Sequence, residues 1–141
     1  MIRATLDVNV LVSGFQDKPG VPRLLIDSWI HLAYELVLSE HILNGLIRAW
    51  QKPYFQQRLP PGVVQQALTL LRNDALIVAP SVNVRGVGED EEDDLVLSTA
   101  LSGSAEFLVT GDRHLQQIGS YPGLIILSPR EFLEVLARDE A

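Results

Sequence analysis

The 141-residue chain carries 11 Lys and Arg against 18 Asp and Glu, a net charge of −7, and it has no cysteine. That length suits one domain that buries about two-thirds of its unfolded surface, so residues 1–141 are expected to form a single domain needing no covalent staples. The missing cysteines exclude disulfides, thiolate metal sites and cysteine nucleophiles. No run approaches the roughly 20 apolar residues of a membrane helix, so a cytoplasmic protein with no membrane partner is expected.

In chain order, residues 2–7 (IRATLD) read as a strand ending on an acid, and residues 8–15 as a turn or short helix. Pro19-Gly20 and Pro22 mark a loop. A helix over 23–32 would place Leu25, Trp29 and Leu32 on one face. Residues 34–38 (YELVL) form a second strand, and Ser39 suits the N-cap of a helix over 40–50 with the stripe Ile42, Leu43, Leu46, Ile47 and Trp50. Lys52-Pro53 breaks that helix, and Pro60-Pro61-Gly62 opens another. Further strands are expected at 75–79, 106–110 and 124–127. A helix should run from about Asp90 to Leu101, a turn with one helical turn from Gly111 to Gly119, and a last helix from Pro129 to about Arg138. Strands alternating with helices imply an α/β fold, a three-layer α/β/α sandwich around a mostly parallel sheet of about five strands.

The acidic balance by itself argues against nucleic-acid binding, because phosphates are contacted mainly by Lys and Arg. Its distribution argues differently. Six consecutive acids, Glu89 to Asp94, carry much of the excess. Asp7 ends the first strand, Asp112 follows the fourth, and Asp90, Asp93 and Asp94 open the helix after the third. In a parallel sheet these positions share the rim where ligands bind. Carboxylates gathered without basic partners repel one another, and a hard divalent cation with oxygen ligands resolves that conflict. A metal-carboxylate rim suits phosphodiester hydrolysis.

Each acid also has a structural reading. Asp7 and Asp112 fit turns. Asp90 fits an N-cap better than a ligand. Asp93 and Asp94 favour a helix dipole, with Asp93 the better ligand candidate because it shares a face with Leu97 and Ala100. Glu89, Glu91 and Glu92 read as solvated.

With these residues in place, TLDVNVLVSG (Asp7, Asn9, Ser13) resembles the first motif of PIN domains. DEEDDLVLSTAL and EFLVTGDRHL resemble the third and fourth. The likeness spans about Met1 to Leu136 and is strongest to VapC-type toxins of toxin–antitoxin systems. It implies Mg²⁺ or Mn²⁺ dependence, a single-stranded RNA substrate, homodimers and a small cognate antitoxin. It assigns the metal-binding and catalytic acids to Asp7, Asp93 and Asp112, and positioning roles to Asn9, Ser13 and Thr110.

The family's second acid, a Glu within the helix after strand 2, falls on Gly45. Glu40 lies five residues earlier, a rotation of roughly 140° at 3.6 residues per turn, so it reaches that place only if the helix shifts. Asp90, Asp94, Glu40 and His114 are therefore accessory candidates, with His114 standing where many relatives carry an acid. Lys18, Arg23, Lys52, Arg58 and Arg113 are the candidate RNA contacts. Apolar faces on helices 40–50 and 61–73 are expected to be available to a partner.

Other strand-end aspartate enzymes fit less well. A haloacid-dehalogenase phosphatase would want a second Asp at Asn9 and a Lys upstream of the last acids, and neither Lys18 nor Lys52 is well placed. A receiver domain needs a late Lys, and none follows Lys52. Gly86-Val87-Gly88 opens no complete dinucleotide fingerprint, and no nucleophile elbow is present. The alternative from another class is a non-catalytic RNA- or partner-binding regulator.

Overall fold

The computed structural model describes residues 1–140; Ala141, within the expected domain, lies outside them. Apolar runs of two to four residues alternate with helices. They give β1 (Arg3–Leu6), α1 (Val8–Gly14), α2 (Val21–Ile30), β2 (Glu35–Leu38), α3 (Glu40–Trp50), α4 (Pro53–Arg58) and α5 (Pro61–Asp74). There follow β3 (Leu76–Ile77), α6 (Glu91–Ser102), β4 (Phe107–Val109), α7 (Arg113–Ile118), β5 (Ser120–Tyr121), β6 (Leu124–Leu127) and α8 (Pro129–Glu140).

The strands form one sheet in the order β3-β2-β1-β4-β6-β5. All neighbours are parallel except β5 against β6. Helices flank the sheet. The central strand β1 is buried by its neighbours, with Ala4 and Leu6 fully enclosed. Register places Leu6 beside Val109, so the ends of β1 and β4 reach the same edge.

Most expected elements are present, and the differences have local causes. Residues 53–58 form α4, because Pro53 at the first helical position starts a helix as readily as it ends one. The expected turn after strand 4 contains α7, capped by the Asp112 side chain. The sixth strand, β5, pairs with β6 across Pro122-Gly123, with Gly123 at φ 84° as a tight turn demands. Strand β3 is shorter than 75–79. The Val78 N–H still reaches Leu38 O at 2.8 Å, but Pro80 has no N–H with which to continue pairing.

Leu32 does not share the buried face of Leu25 and Trp29. Helix α2 ends at Ile30, and Leu32 takes φ 66° in an exposed turn. The apolar stripe of α3 is not open to a partner: Ile42, Leu43, Leu46 and Trp50 are all in the core. Ser39 caps α3 as expected, accepting the Ile42 N–H, and its hydroxyl meets Thr99 Oγ1 at 2.8 Å in the interior.

Candidate active site

Asp7 occupies the one position between the end of β1 and the start of α1. Its N–H donates to Val109 O of β4 at 2.9 Å, which fixes its backbone to the neighbouring strand. Its Oδ1 accepts the Val8 N–H at 2.7 Å and caps α1. Its Oδ2 accepts from Thr110 Oγ1 at 2.9 Å. Thr110 is fully buried, and the same hydroxyl accepts the Asp112 N–H at 3.0 Å. One threonine therefore orients the first acid and the loop that carries the last. Asp112 Oδ1 accepts the N–H groups of His114 and Leu115, leaving Oδ2 without a partner among the described residues.

The acidic run divides its labour. Asp90 caps α6 by accepting the Asp93 N–H at 2.9 Å. Asp94 turns back on the preceding loop and accepts N–H groups from Gly86, Val87 and Gly88 at 2.8, 3.1 and 2.8 Å. These bonds hold its carboxyl below the usual carboxylate range. Asp93 touches the same loop and also borders a groove. Its Oδ2 accepts only the Glu89 N–H, at 3.1 Å, and Asp7 and Asp112 line that groove with it.

That groove lies at the edge where β1 and β4 end. Asp7, Val8 and Asn9 form one wall and Asp112 the next; Glu92, Asp93 and Val96 come from α6, and His41, Gly45, Arg48, Ala49 and Lys52 from the α3 side. Burial pushes the Asp7 carboxyl above its ordinary value against the lowering pull of its Thr110 and Val8 hydrogen bonds, and the charges of Asp112 and Glu92 push the same way as burial. Asp93 is also raised, first by burial and then by Asp90, Asp112 and Asp7. Three elements far apart in sequence thus bring mutually repelling carboxylates to one place. Among the described residues, no three His, Asp or Glu side chains are gathered as a ready-made metal cage.

Other candidate residues lie elsewhere or serve the scaffold. Ser13 is exposed on α1 and outside the groove, whereas Asn9 lines it. Glu40 pairs with Arg72 of α5 at 2.6 Å. His114 approaches Glu89 at 4.0 Å. Of the five basic candidates, Lys52 alone lines the groove. Arg23 faces Asp17 and Asp27, and Arg58 stacks over the Tyr54 ring. Lys18 and Arg113 are exposed.

The groove also contains residues that motif reasoning passed over. Glu92, expected to be merely solvated, stands on the rim with its Oε1 3.3 Å from Arg48 Nη2. His41 and Arg48 share the α3 face of Gly45. Their signal was helical spacing: 41, 45 and 48 are separated by four and three residues.

A family model described as "PIN domain" matches residues 3–114. Among solved structures, VapBC2 from Rickettsia felis bound to a DNA fragment from their promoter is similar at 19% identity and TM-score 0.61, over 90% of this chain and 98% of that one. FitAcB from Neisseria gonorrhoeae is similar at 18% identity and TM-score 0.58, over 89% and 97%. VapBC-1 from nontypeable Haemophilus influenzae gives 19% and 0.57, over 92% and 99%. A search of curated proteins gave no significant match.

Proposed function

The chain belongs to the PIN-domain family, and from that premise we propose that it is a metal-dependent endoribonuclease of the toxin type, hydrolysing phosphodiester bonds of single-stranded RNA. The observation that supports this most is the convergence of Asp7, Asp93 and Asp112 on one groove, from β1, α6 and the loop after β4.

The donor set fits Mg²⁺ or Mn²⁺. The groove offers carboxylate oxygens and the Asn9 amide, all hard ligands, and the part-buried Asp7 carboxyl makes no ion pair among the described residues. An ion held by one or two carboxylates, with water and phosphate oxygens completing its shell, needs no closed protein cage. Such an ion would supply activation of the attacking water and stabilisation of the leaving oxygen.

The chain's own residues set the geometry. Thr110 fixes Asp7 Oδ2 and receives the Asp112 N–H, and the cap on α7 leaves Asp112 Oδ2 without a partner among the described residues. Asp94 accepts three of the loop's N–H groups and Asp93 Oδ2 a fourth, which leaves Asp93 Oδ1 without a hydrogen-bond partner among the described residues. A titration with Mn²⁺ followed by calorimetry tests the reading. Saturable binding that disappears in Asp7→Asn supports it, and equal heats from both proteins contradict it.

A second reading has its own observation. Gly45 gives the groove no carboxylate where the family's second acid belongs. A PIN relative that binds RNA or a partner without cutting would also fit that loss. Cleavage by the wild type rejects it.

Neighbours of the VapBC and FitAB type point to a small antitoxin as partner. We place homodimerisation and a cytoplasmic location under the same proposal. No helix among the described residues is long and apolar enough to cross a membrane.

A further inference from the structure

We propose that the α3 side of the groove is a phosphate-binding track in which Arg48 and Lys52 hold the RNA backbone and Glu92 is an exchangeable counter-ion for Arg48. This inference rests on the nuclease reading for its ligand, and it assigns a role to residues that the acid motif leaves out.

Asp7, Glu92, Asp93 and Asp112 all line the groove, in a chain of net charge −7. A polyanion approaching that surface is repelled unless cations stand beside the acids. Arg48 and Lys52 are the only Lys or Arg side chains lining the groove among the described residues, and both come from the same side. Arg48 stands in the last turn of α3, with Gly45 a turn before it, and Lys52 lies two residues past the end of the helix, where it caps α4.

Gly45 keeps this face open. The atoms nearest to a Cβ there would be Val8 Cγ2 at 3.0 Å and Arg48 Nη2 at 3.8 Å. An acid at this position would sit against the Arg48 guanidinium and neutralise it. Its absence leaves Glu92 of α6, at 3.3 Å, as the one ion-pair partner of Arg48 among the described residues, with both side chains more than half exposed at 59% and 69%. An exposed pair of this kind is weak and readily exchanged. Guanidinium binds phosphate in the same forked geometry as carboxylate, so a phosphate can displace Glu92 without moving α3. Lys52 makes no ion pair among the described residues and adds a second point charge.

The test is fluorescence anisotropy of a labelled single-stranded oligoribonucleotide in EDTA, so that no cutting occurs, over a series of salt concentrations. For single strands the slope of log K against log[salt] changes by about 0.7 per phosphate contact. Arg48→Ala and Lys52→Ala are each expected to lower the slope by about that amount, and Arg48→Lys should retain it. Arg138→Ala, in the last turn of α8, serves as control and should leave it unchanged. Glu92→Gln should tighten binding by freeing Arg48. Unchanged slopes in both alanine variants, or weaker binding by Glu92→Gln, would overturn the proposal. If that happens while wild type still cuts RNA with Mn²⁺, the track fails and the nuclease reading stands. If wild type neither binds nor cuts RNA, both fail.

Discussion

The hydroxyl of Thr110 lies 2.9 Å from the carboxylate of Asp7, although 103 positions separate them in the chain. Parallel pairing of β1 with β4 makes the contact, and the same hydroxyl receives the Asp112 N–H. Thr110→Val keeps the shape and removes both bonds. With the site buried, the expected loss is about 1–3 kcal/mol of stability, read by urea denaturation. Loss of such a supporting contact should also weaken Mn²⁺ binding by roughly 10–100-fold. Thr110→Ser should recover most of both. A valine variant with wild-type metal affinity would show that Thr110 does not orient the site.

Asp7→Asn should separate stability from function. The folded-state pKa of Asp7 is raised, so its contribution is most favourable below the unfolded value of about 3.9 and is lost as pH rises through the folded value. At neutral pH the ionised group therefore costs stability when no cation is present. Asp7→Asn is expected to melt higher than wild type at pH 7 in EDTA, and the gap should close toward pH 4. Thermal scans across that range check the sign, and a lower melting temperature for the variant at pH 7 would contradict it.

Asp94 carries the opposite sign. Its pKa is lowered by three backbone N–H groups, so its contribution is present above about pH 3.9 and is lost as pH falls through the folded value. Asp94→Asn should loosen the 80–90 loop, seen as faster amide exchange at Gly86 to Gly88, and should blunt the acid sensitivity of folding. Its Mn²⁺ affinity should stay near wild type.

Gly45→Glu probes the departure from the family pattern. The new carboxylate joins the rim, so Mn²⁺ binding is expected to tighten. It also meets Arg48, so the salt dependence of RNA binding should fall as it does in Arg48→Ala. Calorimetry and anisotropy on the one variant check both. Unaltered metal affinity would count against placing the family's second acid at Gly45.

Much of this was legible in the sequence because it depends on order along the chain. Strand, acid and helix succeed one another at Asp7 and at Asp112, and a parallel sheet carries such junctions to one edge. The preference for Asp93 over Asp94 followed from helical spacing to Leu97 and Ala100, both fully buried. What escaped depended on contacts between distant surfaces. Nothing local to Glu92 distinguishes it from Glu91; its place on the rim comes from α6 lying beside α3. Glu40 is diverted by Arg72 from α5. Helix α4 was hidden because Pro53 reads as a break when taken alone, whereas the helical turn expected within 111–119 is present as α7.

The most direct measurement is cleavage of an end-labelled single-stranded RNA with Mn²⁺, comparing wild type, Asp93→Asn and Asp94→Asn. The two variants make the same chemical change at adjacent positions, of which Asp93 lines the groove and Asp94 does not. The account predicts cutting by wild type, abolished by EDTA, reduced at least about 100-fold in Asp93→Asn and within a few-fold of wild type in Asp94→Asn. Equal loss in both variants, or cutting that survives Asp93→Asn, would contradict a groove in which Asp93 holds the reacting metal.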